Sequence, residues 1–333
     1  VVGHGERKMR ITTKESNMNR KTLFCLSLLT PLTSAWLVAG PLDRARVAAD
    51  AKWVVHLDVQ QLLETQSGTF LAKRLLDARF AEGATKLKAE LGVDFNWRRI
   101  HGLTLYGRDY RAPRRAMGVL VIDTDLDVRG GLEAALRKQK EAGYGEDGPV
   151  IPLVKGGTAL YSLNDKAYVA LAPGRPVVIG QSRAQVEEAR EVLLGTRDSL
   201  TAGGAALETP GAPGSFFLVA AAKGFASEAP IPPQAQVLRM ADGLQATLAE
   251  QGENLLLNLR LLTRDARVSE QVAQVIQGLK ALVALGQVDN QELKDLSQMV
   301  NVSASGRNAD LHLRIPIEKI QQRIRQQAEE EGW

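Results

Sequence analysis

The chain has 333 residues, 44% hydrophobic and 24% charged, enough apolar material for two sizeable cores. Its formal charge of +4 sits at the front: residues 1–39 carry six basic side chains against two acidic ones, leaving the remainder neutral. That balance excludes a global attraction to nucleic acid or to an anionic membrane.

Arg20 and Lys21 precede the apolar run 23–39, and the small residues Ala35 and Ala39 close it. Positive, apolar, then small is the layout of a secretory leader, so residues 18–39 are expected to be a signal peptide cleaved after Ala35 or Ala39. Met18 offers a start, which makes residues 1–17 an over-called upstream extension. The alternative is an uncleaved inner-membrane anchor through residues 22–39, although Pro31 makes the run marginal for a span. Cys25, the one cysteine, lies inside the leader. The exported part, periplasmic or extracellular, would then have no disulfide, thiolate nucleophile or cysteine metal site.

A short charged segment leads into Trp53–Leu57, which is strand material. Asp58 follows as N-cap with Gln61 to close a capping box, and an amphipathic run leads away. Ile100–Tyr106 and Met117–Ile122 read as strands on either side of the arginine-rich stretch Gly107–Ala116. Val128–Lys140 reads as a helix. Four short strands, 149–154, 158–163, 167–172 and 176–180, are separated by Gly156-Gly157, Asn164-Asp165 and Pro173-Gly174, which predicts an antiparallel meander. Arg183–Leu194 closes this part as a helix capped by Ser182 and Gln185 and stopped by Gly195.

Thr201–Ser215 is rich in Gly, Pro and small residues and reads as a linker between units at 40–200 and 216–333. Beyond it come strand 216–222, a short helix 234–241, and strands 243–250 and 254–263 around Gly252. Helix 267–286 carries Val268, Val272, Val275, Leu279 and Leu282 on one face, expected to be core. Helix 290–298, strands 299–305 and 309–315, and a terminal helix from Pro316 complete the chain. Both parts read β-α-β-β-α, then antiparallel strands, then a helix, which suggests duplication. The fold class expected is α+β, two related units of antiparallel sheet with helices packed on one face.

Three constellations bear on chemistry. His56, His101 and His312 all fall in strands without metal-ligand spacing, and Asp58 beside His56 is occupied as a cap. Gly180-Gln181-Ser182-Arg183-Ala184 follows a strand and opens a helix, with His312 downstream, as in a serine hydrolase. Ala184 in place of glycine, the preceding meander and the missing oxyanion loop favour Ser182 as a plain N-cap. Arg98, Arg99, Arg108, Arg111, Arg114 and Arg115, interleaved with Trp97, Tyr106 and Tyr110, form a possible anion-binding patch, against the plainer reading of a solvated hairpin tip. The glycine pairs lack phosphate-loop spacing, and Asn301-Val302-Ser303 is only a short glycosylation match. No catalytic residue, metal set or cofactor fingerprint is assigned.

Residues 49–71 with the strand 102–110, and the strand–helix end at 177–193, resemble an uncharacterised group of exported bacterial proteins found in planctomycete and verrucomicrobial genomes. The likeness covers residues 49–195 well and the C-terminal half weakly. It implies export and a two-unit α+β fold, and brings no activity or site with it. The expectation is an exported, non-catalytic binding or structural component of the bacterial envelope. Its partner would be an anionic envelope polymer or another envelope protein, not nucleic acid. The alternatives are a Ser182/His312 hydrolase and a membrane-tethered envelope protein.

Overall fold

In the computed structural model Trp53–Asp58 forms strand β1, next to the seam between the two halves of one twelve-stranded antiparallel sheet. The structure describes residues 41–110, 118–144, 148–153, 159–171, 174, 176–202, 207–210, 216–229, 231, 233–284 and 291–330.

Asp58 ends β1 and caps α1 (Val59–Glu64), accepting the Gln61 N–H at 2.9 Å. The amphipathic run does not continue as one helix. Thr65 takes an extended backbone and caps anew, its hydroxyl accepting the Gly68 N–H, so that α2 (Gln66–Leu71) starts in another direction. Gly68 permits this bend, since a Cβ there would lie 1.9 Å from the Leu62 carbonyl oxygen. A π-turn over Ala72–Leu76 joins α2 to α3 (Asp77–Leu91). Then follow β2 (Ile100–Gly107), β3 (Gly118–Thr124), α4 (Val128–Glu141), β4 (Val150–Pro152), β5 (Ala159–Leu163), β6 (Ala167–Leu171), β7 (Val177–Gly180) and α5 (Arg183–Leu194).

The second half has β8 (Phe216–Lys223), the short α6 (Phe225–Glu228), a 3-10 stretch Pro233–Met240, β9 (Gly243–Gln251) and β10 (Asn254–Leu262). It continues with α7 (Ala266–Ala284), α8 (Gln291–Met299), β11 (Val300–Ser305), β12 (Asn308–Pro316) and α9 (Ile317–Glu330). Pro316 is the last strand residue, paired with Asn254, rather than the first of the helix.

The sheet order is β11-β12-β10-β9-β8-β1-β2-β3-β7-β6-β5-β4. Outward from the β8–β1 pair, β1-β2-β3-β7-β6 mirrors β8-β9-β10-β12-β11. The fold is thus α+β with two related antiparallel units, and they share one sheet. Tyr110 pins their seam: its hydroxyl lies 2.8 Å from the Lys52 carbonyl and 2.9 Å from that of Lys223, and accepts the Lys223 N–H at 3.2 Å.

Successive strand residues face opposite sides, which assigns each core to a face. Leu57, Leu103, Ile122 and Val177 pack beneath the helices α1 to α4, and Leu261 and Ala309 beneath α7. The last helix stays on this side, with Arg325 over the Phe70 ring of α2 at 5.3 Å. One helix departs from it. Helix α5 crosses to the other face and buries Val186, Ala189 and Val192 against Val54, Val121 and Val178.

Helix α7 corrects the expected stripe. Val268 and Val272 are core, but Val275, Leu279 and Leu282 are each 45% exposed. Past Ile276 the helix runs over the edge strand, where Gln277 and Lys280 donate to the Val302 and Val300 carbonyls, and among the described residues its later apolar side chains join no buried core. The stretch between the halves is anchored where it is described, with Leu207 1% exposed in the first core.

Candidate functional site

Since α5 crosses over and α9 does not, no helix covers the α5-side face of β9, β10 and β12 among the described residues. Its sequence shows why it stays wet. Gln245 and Thr247, Asn258 and Arg260, and Asp310 and His312 alternate with apolar residues that enter the opposite layer. The turn at Gly252 (φ 59°) places Thr247 opposite Asn258, the turn at Gly306 (φ 54°) sets β12 against β11, and the pairing of β12 with β10 puts His312 opposite Asn258. In the neighbouring row Gln245 pairs with Arg260, and Arg260 with Asp310.

The side chains of these rows are already connected. The Asn258 amide donates to the Thr247 hydroxyl at 3.3 Å, and its carbonyl oxygen lies 2.7 Å from His312 Nδ1. Accepting through that oxygen puts the proton on Nδ1 and leaves Nε2 as an outward acceptor in the neutral ring. Arg260 grips Asp310 through Nε at 2.7 Å and a second nitrogen at 3.5 Å. Together these groups line a hollow of about 310 Å³, walled by Pro210 and Phe216. Depth falls along the row, from buried Thr247 through half-buried Asn258 to exposed His312.

Of the arginines predicted as one patch, Arg108 does not come together with Arg98 and Arg99. Arg98 pairs with both Asp77 oxygens at 2.9 and 2.7 Å and stacks over Trp97. Arg99 pairs with Asp125 at 2.9 Å. Arg108 lies at the far end of β2, about 31 Å away along the strand at ~3.4 Å per residue. There it meets Asp50 at 2.7 Å and Glu188 at 2.6 Å, a group that Arg197 also joins. Adjacency in sequence across a strand is separation in space. Arg111, Arg114 and Arg115 lie outside the described residues.

Ser182 caps α5, its hydroxyl 3.5 Å from the Gln185 N–H. The reciprocal half of the capping box is not made, as Gln185 Oε1 is buried without a partner. His312 sits on the second strand of the sheet order and Ser182 just after the ninth. Seven spacings of ~4.8 Å put them about 34 Å apart, so this pair cannot act on one bond. His56 is buried with Nδ1 2.9 Å from the Thr104 hydroxyl. Burial pushes the Asp58 carboxyl above its usual value, against the pull of the Gln61 N–H. His101 is half-buried, its Nδ1 2.6 Å from the Gln60 amide.

Among the described residues no group of three or more His, Cys, Asp or Glu is placed to hold a metal ion, and no helix is long and apolar enough to cross a membrane. The sequence reading singled out His312 but missed Thr247, Asn258, Arg260 and Asp310. Their signal was the polar alternation in three strands. Recognising it as a site required knowing which face the helices leave bare.

No protein-family model and no curated protein sequence matches the chain. Among solved structures it is similar to crystal form I of TP0453, with a TM-score of 0.43 and 11% identity over 86% of this chain and 98% of that one. Crystal form IV gives 0.43 and 9% over 87% and 99%, and form III 0.39 and 9% over 85% and 98%.

Proposed function

We propose that this chain is an exported, non-catalytic binding component of the bacterial envelope, and that it binds on the open face of β9, β10 and β12. Kinship with the exported planctomycete and verrucomicrobial group is part of the same proposal, as is the signal peptide at residues 18–39. The observation that carries the binding reading is the hollow of about 310 Å³, within the size range of small-ligand sites. Hydrogen-bonding groups floor it, and its acid and base, Asp310 and Arg260, are tied to each other.

Native mass spectrometry of the protein purified from its own cell envelope tests this. The expected result is a chain starting at Trp36 or Gly40 that carries an extra mass. A bare chain would overturn the binding reading, and an intact leader would move the protein to the membrane as a tethered component.

A further inference from the structure

We infer that the ligand of this face is a neutral saccharide, entering as the end of a linear chain laid across the strands. The inference rests on the binding reading above and adds the ligand class.

The first observation is charge. Among the described residues Arg260 and Asp310 are the only acid and base lining the hollow, and their two-point contact balances one charge against the other. A free anion would have to compete with Asp310 for the guanidinium, and a cation with Arg260 for the carboxylate. A neutral ligand leaves the pair intact and still finds the N–H groups of Arg260 that Asp310 does not occupy.

The second observation is the kind and spacing of the groups. Thr247, Asn258, His312 and Asn301 stand opposite one another on β9, β10, β12 and β11. They form a row that repeats every ~4.8 Å across the strands. Each side chain pairs a donor with an acceptor or, for His312, offers Nε2 outward. Hydroxyl groups on successive sugar rings are both donors and acceptors, and a row of this kind can meet them one after another. The parallel row through Gln245, Arg260 and Asp310 lies two residues along the strands, ~7 Å away. That spacing lets the two rows address opposite edges of a pyranose ring.

The third observation is shape. The row is buried at Thr247 and exposed at His312 and Asn301, so the trough deepens toward Pro210 and Phe216. Phe216 supplies an apolar surface for the C–H face of a ring. A chain would enter from the β11 side, and its terminal ring would stop against this wall.

Isothermal titration of the purified chain tests the inference with cellotetraose, N-acetylated chitotetraose and maltotetraose, beside a heparin-derived tetrasaccharide. The expected result is saturable binding of at least one neutral tetraose, weakened about tenfold or more by His312→Ala or Asn258→Ala, the cost of one well-placed hydrogen bond. Arg98→Ala should leave it unchanged. His312 is exposed, so its variant keeps the fold even if Asn258→Ala does not. Tighter binding of the heparin fragment, or no neutral saccharide binding, would overturn the ligand class. In that case the mass retained on native protein separates the two failures: a non-sugar mass lost on His312→Ala keeps the site, and a bare chain removes both.

Discussion

Tyr110 is the residue on which the joint between the halves is most exposed to test. Burial pushes its phenol up to about 12, against the pull of the hydrogen bond with the Lys223 backbone. Removing it in Tyr110→Phe should cost about 1 kcal/mol, the net worth of a partly buried hydrogen bond. The cost has a pH signature. A phenol whose folded value lies above the ordinary ~10 contributes stability that is present below pH ~10 and lost as pH rises toward 12. Denaturant titrations should therefore show the wild-type advantage shrinking across that window, and a constant gap would contradict the assignment. Asp58 has the opposite sense. Burial raises its carboxyl, so the charged form costs stability at neutral pH, and the cost disappears below pH ~4. Asn keeps the cap, so Asp58→Asn should be more stable than wild type at pH 7 and equal to it at pH 3. A variant weaker at pH 7 would mean that the charge itself holds the helix.

At the scale of elements, helix α7 separates what pattern can and cannot reveal. Its stripe was legible as one face, and Val268 and Val272 are core, because an apolar repeat at helical spacing must meet a layer somewhere. Where that layer stops depends on strand order, which no local pattern states. Val272→Ala should cost about 2 kcal/mol for a fully buried side chain, while Leu279→Ala should stay within ~0.5 kcal/mol. Equal costs would contradict the exposed second half. The meander was legible for a related reason: Asn164 and Asp165, both at positive φ, mark a hairpin turn by chemistry alone. The bend at Thr65 was not recognised, although Thr65 and Gly68 hold its signal. The binding face was half legible. Alternating polar residues in β9, β10 and β12 mark a wet side, but the departure of α5 to the other face is a long-range packing outcome. Arg98 and Arg108 were misjoined because β2 lies between them.

For the whole molecule, a sheet of twelve strands must protect two edges from pairing with other chains. At β4 the outward N–H and carbonyl of Val150 are both taken by the Gln139 amide, at 2.8 and 3.1 Å, and Pro152 has no N–H to offer. At β11 Lys280 and Gln277 occupy outward carbonyls. Gln139→Ala should free the β4 edge and appear in sedimentation velocity as concentration-dependent self-association, and a strictly unchanged profile would show that Pro152 and strand shortness suffice.

The bare face between these guarded edges is the centre of the account, and one comparison tests it most directly. Wild-type chain and a His312→Ala, Asn258→Ala double variant, both recovered from the native envelope, would be weighed intact under non-denaturing conditions. The account predicts a retained mass on the wild type that is absent from a folded double variant. The same mass on both, or on neither, would contradict it.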